Sequence, residues 1–467
     1  MNKSWIILFS FLVSCVQPGG QNSSKEDIGP ASKKSYTFLS GVVQKDISCK
    51  VDSTYSYALY LPSTYADSSK LNYSFPVIFF FDAHRRGVLP VKKYAPLAEK
   101  FGFILVGSNN SMNGQTQGES DRIVSVLFDE VRQRYRVDDK RLVVSGFSGG
   151  ARVAAGIALF RKEPVAGVIG CAAGFPPISL GYNTQFNYLA IVGNKDFNYL
   201  ELKELDRTLN QMPISHCLLV YDGKHDWPLK QVMQEGFQYM LFDAMRKDLL
   251  LKDKKLIEEF QKRNDSLLVT VSGNVVQEVA VYRKMVSFLY DLIPVERYRN
   301  KLDKLTQTKT YIKWQQEEER QELFERNQQQ KYAAAIGSKN LSWWLQEIED
   351  LYKKPEDPVS LRLQNYLSLV SYMYASGTLK NNQFKEAEKY LTIYKKVDPD
   401  NPEVYYLKAV LLTRTGKAEL ALAQLQVAAD KGFNEYERMQ NSKDFNGFQD
   451  NEVFERILLQ IRDKSEQ

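Results

Sequence analysis

The sequence predicts an α/β domain with a mostly parallel sheet and helices on both faces, followed by an all-helical C-terminal region. Three observations carry that expectation. Between about residues 36 and 232, short β-rich runs alternate with stretches of helical spacing, the pattern of a sheet wound with covering helices. From about residue 229 onward Gly and Pro become scarce, and Gln, Glu, Lys and Leu dominate. In the last third, Ala375 and Ala409, Ala387 and Ala421, and Leu391 and Leu425 are each separated by 34 residues, and three pairs agreeing on one period point to repeated helix pairs.

At the N-terminus, Lys3 and the apolar run 5–13 lead to Leu12-Val13-Ser14-Cys15. Residues 1–14 resemble a bacterial lipoprotein signal peptide with Cys15 as the first mature residue. The resemblance implies a lipid anchor on Cys15 and a place in the bacterial cell envelope, periplasmic or surface-exposed. The alternative is an ordinary secretory signal in which the cysteine is coincidental. The run is about half the ~20 residues a spanning helix needs, so an uncleaved membrane anchor is the poorer reading. Residues 15–35 are rich in Gly, Ser, Pro, Gln and Lys without an apolar period and read as a flexible tether.

Within the α/β domain at 36–232, strands are expected at 56–61, 77–81, 104–107, 141–145, 166–171, 188–192 and 217–221. The uninterrupted run Val77-Ile78-Phe79-Phe80-Phe81 suits a strand buried on both faces. Helical spacing occupies 91–101 and 122–135, the second with Ile123, Val126, Leu127 and Val131 on one side. Residues 233–340 read as a helical linker region, in which 312–335 is mostly charged and Gln-rich and is expected to be a long exposed helix or spacer. The 34-residue period over about 365–435 resembles the tetratricopeptide repeat, with Tyr405, Ala409, Ala421, Leu425 and Ala428 fitting best and Tyr394 departing from the pattern. Two repeats rarely bury enough surface alone, so helices at 341–353 and 451–461 are expected to flank them in a domain at 341–467. Such repeats imply a protein partner; an accidental helical hairpin is the other reading.

Composition excludes one class of partner. Lys and Arg exceed Asp and Glu by 62 to 56, scattered along the chain, and no dense basic run with interleaved aromatics makes a nucleic-acid surface. Besides Cys15 there are Cys49, Cys171 and Cys217, each in or beside an apolar run and without metal-ligand spacing. They read as buried free thiols, with one disulfide the alternative in an oxidising compartment.

The chemistry is concentrated where Leu142-Val143-Val144-Ser145 breaks into Gly146-Phe147-Ser148-Gly149-Gly150 and continues as a small-residue helix start. A strand–turn–helix with Ser148 at its apex exposes the hydroxyl beside the backbone N–H of Gly149. A serine hydroxyl needs a base to take its proton as it attacks. Of the three histidines, His225 follows the last expected strand on a turn bounded by Gly223 and Pro228, whereas His216 begins that strand at the wrong end and His84 lies in an earlier loop. The imidazole needs a carboxylate to fix its tautomer. Asp196, in a turn after another strand, is the candidate, with a solvated turn or cap as its other reading; Asp222 and Asp226 are rivals by nearness to His225. The order Ser148, Asp196, His225 is that of the α/β-hydrolase fold.

Residues 50–230 resemble an α/β hydrolase of the esterase class related to feruloyl esterases, polyhydroxybutyrate depolymerases and dienelactone-hydrolase-like enzymes. The resemblance rests on Tyr57-Ala58-Leu59-Tyr60-Leu61-Pro62, Phe75-Pro76-Val77-Ile78-Phe79-Phe80-Phe81, Tyr135-Arg136-Val137-Asp138 leading into the serine turn, and Gly223-Lys224-His225-Asp226-Trp227-Pro228. It implies ester hydrolysis through an acyl-serine intermediate, with acyl or aryl esters of polysaccharides as the substrate class, a peptidase as a close variant, and no metal or organic cofactor. Where such enzymes carry His-Gly after the third strand, this chain has Asp82-Ala83-His84-Arg85-Arg86-Gly87. The oxyanion hole is then expected from Gly149 N–H and one N–H of Ala83 or His84. Arg85 and Trp227 are the candidate substrate-contacting residues; Arg85 and Arg86 otherwise read as solvated loop arginines. The segment 174–187 is short for a lid, leaving the cleft open or roofed by the helical half. From a different class, the altered loop is compatible with a non-catalytic lipoprotein scaffold that uses a hydrolase-like domain and helical repeats for binding.

Overall fold

The computed structural model describes residues 39–161, 164–176 and 185–466. Cys15, the signal and the tether lie outside the described residues, as does most of the segment 174–187. The chain forms two compact units, divided between Lys313 and Trp314, with Asn194–Phe197 grouping with the second.

The first unit contains β1 (Val43–Ser48), β2 (Ser56–Tyr60), β3 (Phe75–Phe81), α1 (Val88–Phe101), β4 (Ile104–Ser108), α2 (Gln117–Arg134), β5 (Val137–Phe147), α3 (Gly149–Phe160), β6 (Gly167–Cys171), β7 (Asn187–Gly193), α4 (Tyr199–Leu209), β8 (His216–Tyr221), α5 (Lys230–Arg246), α6 (Lys254–Thr270), α7 (Val275–Leu289) and α8 (Glu296–Thr306). The strands form one sheet in the order β1-β2-β4-β3-β5-β6-β7-β8. β2 runs antiparallel to both β1 and β4, and every other pairing is parallel. All seven strands expected from the sequence are present. The eighth, β1, carries Lys45 and Asp46 on a half-exposed edge and so gives no apolar run to read.

Side-chain alternation sorts the sheet into two cores. Val77, Phe79 and Phe81 of β3 and Val144 of β5 point to one face, where Leu127, Phe128 and Val131 of α2, Ala154 and Ala158 of α3, and Leu202 of α4 cover them. Ile78, Phe80 and Val143 point to the other, against Tyr94 and Ala98 of α1 and Phe237 and Met240 of α5. Every residue of β3, β4, β6 and β7 is buried, which is why these strands read as continuous apolar runs. A capping box starts α2: the Thr116 hydroxyl accepts from Glu119 N, and the Glu119 carboxylate accepts from Thr116 N at 2.7 Å.

The boundary that composition places at residue 232 does not divide the structure. Phe260 of α6, Phe288 of α7 and Tyr298 of α8 belong to the same core as Ile78 and Phe80, so the helices to Thr306 complete the first unit. Composition changes there because helices replace strands, while the core continues.

The second unit holds most of α9 (Lys309–Ala335), then α10 (Leu341–Tyr352), α11 (Pro358–Lys380), α12 (Phe384–Val397), α13 (Pro402–Arg414), α14 (Ala418–Asp430), α15 (Tyr436–Gln440) and α16 (Glu452–Glu466). The 34-residue period is one helix pair: Ala375 and Ala409 are buried on α11 and α13, and Ala387 with Leu391 and Ala421 with Leu425 are buried on α12 and α14. Small side chains at these sites let the paired helices approach. Asp357 and Asn401 cap α11 and α13, each followed by Pro at the first helical position. Tyr394, the residue that breaks the small-residue pattern, is buried near Tyr372 instead. The helix α9 differs from the exposed spacer expected for 312–335. Its Glu325 is fully buried and pairs with buried Arg362 of α11 at 2.7 Å, and Tyr332 is buried as well.

Candidate active site

The turn between β5 and α3 places Ser148 at φ 55° and ψ −121°, a conformation that β-branched and bulky residues avoid. Two glycines make it possible. A Cβ on Gly146 would lie 2.0 Å from the Gly150 carbonyl oxygen, and one on Gly150 would lie 2.0 Å from the Phe81 carbonyl oxygen. The turn is therefore pressed against its own helix start and against the end of β3. Ser148 N–H donates to the Cys171 carbonyl at 2.9 Å, tying the serine to the end of β6. Its Oγ lies 3.0 Å from Nε2 of His225, the geometry a general base needs.

His225 stands four residues past the end of β8, its ring 4.7 Å from that of Phe147, the residue before the nucleophile. The loop is anchored behind it: the Trp227 carbonyl accepts from Lys93 Nζ at 2.8 Å and the Pro228 carbonyl from the Tyr94 hydroxyl at 2.7 Å. Strand register sets the ends of β7 and β8, from which the chain leads on to Asp196 and to His225, side by side. Gly193 at the end of β7 is paired with Tyr221 at the end of β8, and a Cβ on Gly193 would fall 2.2 Å from the Gly223 carbonyl oxygen. Asp196 follows in the turn that leaves β7 and is fully buried, whereas Asp222 and Asp226 are exposed and Asp226 accepts from Trp227 N. The turn is held within the second unit, where Arg362 Nη1 donates to the Asn194 carbonyl at 2.8 Å and Asn365 Nδ2 to the Lys195 carbonyl at 2.7 Å. His216 is confirmed at the far end of β8, its Nδ1 2.9 Å from the Ile214 carbonyl.

Around the serine, Gly149 opens α3, where a backbone N–H has no acceptor within its own helix. The two expected second donors separate. His84 N–H donates to Asp82 Oδ1 at 2.8 Å, which removes it from the oxyanion role the sequence left open to it. The Ala83 carbonyl accepts from Asn113 N at 2.9 Å, and its N–H has no acceptor among the described residues. Arg85, at φ 61°, donates its N–H to Ser111 and leaves an exposed side chain beside the turn. Trp227 is corrected: it is 1% exposed, packed among Phe80, Tyr94 and Phe147 with its indole N–H on Asp82, and so lines no substrate pocket.

Two neighbours were not read from the sequence. Asn113 lies over the nucleophile turn, its Oδ1 1.8 Å from where a Gly149 Cβ would be. Asp82 is a fully buried carboxylate one residue beyond the apolar strand β3, and that placement was the available signal for it. Cys49, Cys171 and Cys217 are free thiols.

The strand order, the antiparallel second strand and the serine turn after β5 form an α/β-hydrolase fold, as the sequence resemblance implied. The sequence matches no protein-family model and no curated protein. Among solved structures, an S-formylglutathione hydrolase from Staphylococcus aureus is similar over 43% of this chain and 98% of its own, with 14% identity and a TM-score of 0.35. A ferulic acid esterase is similar over 43% and 96%, with 16% identity and a TM-score of 0.34. The feruloyl esterase module from Clostridium thermocellum is similar over 42% and 86%, with 14% identity and a TM-score of 0.34. At such identities and TM-scores, none of these likenesses says what this chain does.

Proposed function

We propose that the chain is a serine hydrolase that cleaves carboxylic esters through an acyl-Ser148 intermediate. The observation that carries this reading is Ser148 in its strained turn with Oγ 3.0 Å from His225 Nε2. In the first half-reaction Ser148 Oγ attacks the ester carbonyl and His225 takes its proton. His225 then gives that proton to the departing alcohol, and the acyl group stays on Ser148. Water repeats the sequence, with His225 again as base, and releases the acid. Gly149 N–H and Ala83 N–H stabilise the tetrahedral oxyanion in each half. Asp196 is the carboxylate assigned to orient His225; its burial at the end of the strand next to β8 supports this over Asp222 and Asp226.

For the substrate, the resemblance of the histidine loop and the serine approach to feruloyl-esterase-like enzymes favours acyl or aryl esters borne on polysaccharides. The lipoprotein-like 1–15 segment favours anchoring through Cys15 in the bacterial envelope, and the buried small-residue period of α11–α14 favours a protein partner on the helical unit. The deciding experiment treats the mature protein with a fluorophosphonate probe beside Ser148→Ala and His225→Ala, then tests short acyl and aryl esters. Labelling is expected for the wild type and lost in both variants. A folded wild type that takes no label would overturn the hydrolase reading. Incorporation of labelled palmitate that persists in Cys15→Ala would overturn the anchor.

A further inference from the structure

Asp82 is the first residue past β3 and is completely buried, yet the proposed chemistry leaves it without a task. Its two oxygens meet four donors. Oδ1 accepts from His84 N at 2.8 Å and Arg86 Nε at 3.0 Å, and Oδ2 accepts from Arg86 Nη2 at 3.2 Å and Trp227 Nε1 at 2.8 Å. A buried carboxylate is tolerated only when its lone pairs are met in this way. Two of the donor residues, His84 and Arg86, are local, whereas Trp227 lies 145 residues beyond Asp82 in sequence. His84 and Arg86 shape the turn that presents Ala83 N–H, and Trp227 lies two residues past His225.

We propose that Asp82 is a positioning residue that fixes the oxyanion turn and the base-carrying loop to one another. The inference rests on the hydrolase reading of Ser148 and His225. A glycine in this turn would leave the backbone free to adapt; here a carboxylate withdraws the His84 N–H and bends the chain from Asp82 to Arg86, leaving Ala83 N–H as the donor on that side. Its Oδ2 holds the Trp227 indole, and Trp227 is wedged among Phe80, Tyr94 and Phe147. Donor and base therefore cannot drift independently about Ser148. Transition-state stabilisation is sensitive to such drift because an oxyanion donor acts only when aimed at the developing charge.

The test compares Asp82→Asn and Trp227→Phe in the full-length mature protein. The phenylalanine keeps most of the ring packing and removes only the indole donor. Hydrolysis of p-nitrophenyl acetate is measured as kcat and KM per fluorophosphonate-titrated site, beside thermal melting. For each variant kcat is expected to fall roughly 10- to 100-fold, less than the ~10²–10³ of deleting an oxyanion donor, with KM within about twofold. The double variant is expected to lose no more than the worse single variant, since both break one link. Melting that drops while kcat per titrated site stays at the wild-type value would mean that the link serves stability alone and would overturn the proposal, and so would losses that multiply in the double variant. If Asp82→Asn does not fold, Trp227→Phe decides alone. A wild type inert to the probe overturns the hydrolase reading, and the positioning role with it; a reactive wild type with equally reactive variants overturns only the positioning role.

Discussion

Replacing Gly146 by alanine tests the nucleophile turn through a single methyl group. The new Cβ would lie 2.0 Å from the Gly150 oxygen, 2.2 Å from the Gly150 carbonyl carbon and 2.6 Å from Ala151 N. All three are backbone atoms of the first turn of α3, so no side-chain rotation relieves the contact. Carbon contacts settle at about 3.5 Å or more, so the helix start must retreat by more than ~1 Å. Gly150 also packs against the end of β3, where a Cβ on it would lie 2.0 Å from the Phe81 carbonyl oxygen, so the retreat disturbs the seating of the helix start on two neighbouring strands. Overpacking that moves backbone belongs at the upper end of the usual range, about 3 kcal/mol. With a urea dependence of ~1–3 kcal/mol per molar, the midpoint falls by about 1–3 M.

The assay is the fraction of molecules labelled by a fluorophosphonate across a urea series, which follows the unit containing Ser148 without requiring the whole chain to unfold in one step. The labelling rate in buffer should fall as well, because Gly149 N–H and Ser148 Oγ ride on the segment that moves. Gly118 on α2 is the control, since a Cβ there meets nothing within 4 Å and Gly118→Ala should leave midpoint and rate at or above the wild-type values. A Gly146→Ala protein that unfolds and labels like the wild type would refute the close-packed turn as the reason for its glycines.

Three further expectations follow from particular residues. Asp196→Asn should lower kcat by about 10⁴-fold with little change in folding, while Asp222→Asn and Asp226→Asn stay within about threefold of wild type; the reverse ranking, in steady-state ester hydrolysis, would move the acid to the histidine loop. Leu425→Ala removes a fully buried side chain from the helical unit and should cost about 2–5 kcal/mol in chemical denaturation, and an unchanged midpoint would deny the packing of α14. The Cys49 thiol is pushed up to about 12, chiefly by burial and next by the nearby Glu130 carboxylate. It stays protonated through pH 8 in the folded protein and gains thiolate only as pH climbs toward that value, so native Cys49 should resist alkylation at pH 8 and react on unfolding; rapid native alkylation would contradict its burial.

What the sequence revealed was set by how local the cause is. β3, β4, β6 and β7 were legible because burial on both faces demands uninterrupted apolar runs; β8, at one edge, still carries Leu218-Leu219-Val220, whereas β1, at the other, holds Lys45 and Asp46 and shows no such run. The serine turn was legible because its close approaches leave room only for glycine at 146 and 150. His225 was legible by the strand it follows. The boundary at 232 misled because composition reports the kind of element, whereas a unit ends where its core ends, and Phe260 and Phe288 still pack in the core of Ile78 and Phe80.

The misassigned residues share another cause. Trp227 beside a catalytic histidine looks like a pocket wall until Phe80, Tyr94 and Phe147, from three other elements, close around it. His84 N–H looks available until Asp82 turns back on it. Glu325 lies in a charged, Gln-rich helix that reads as solvated, yet Arg362, 37 residues later, accompanies it into the interior, and burial pushes the carboxyl above its usual range even with that guanidinium beside it. At Trp227 and Glu325 a polar group is buried because a distant partner meets it, and the partner is specified by tertiary register rather than by spacing along the chain; at His84 the partner is local, two residues back. A buried polar group therefore carries information that periodicity lacks. It costs free energy unless every lone pair and proton is met, so it reports which distant segments must come together. At Asp82 those segments are the oxyanion turn and the histidine loop, which makes the residue least legible in the sequence the sharpest probe of how the site is held.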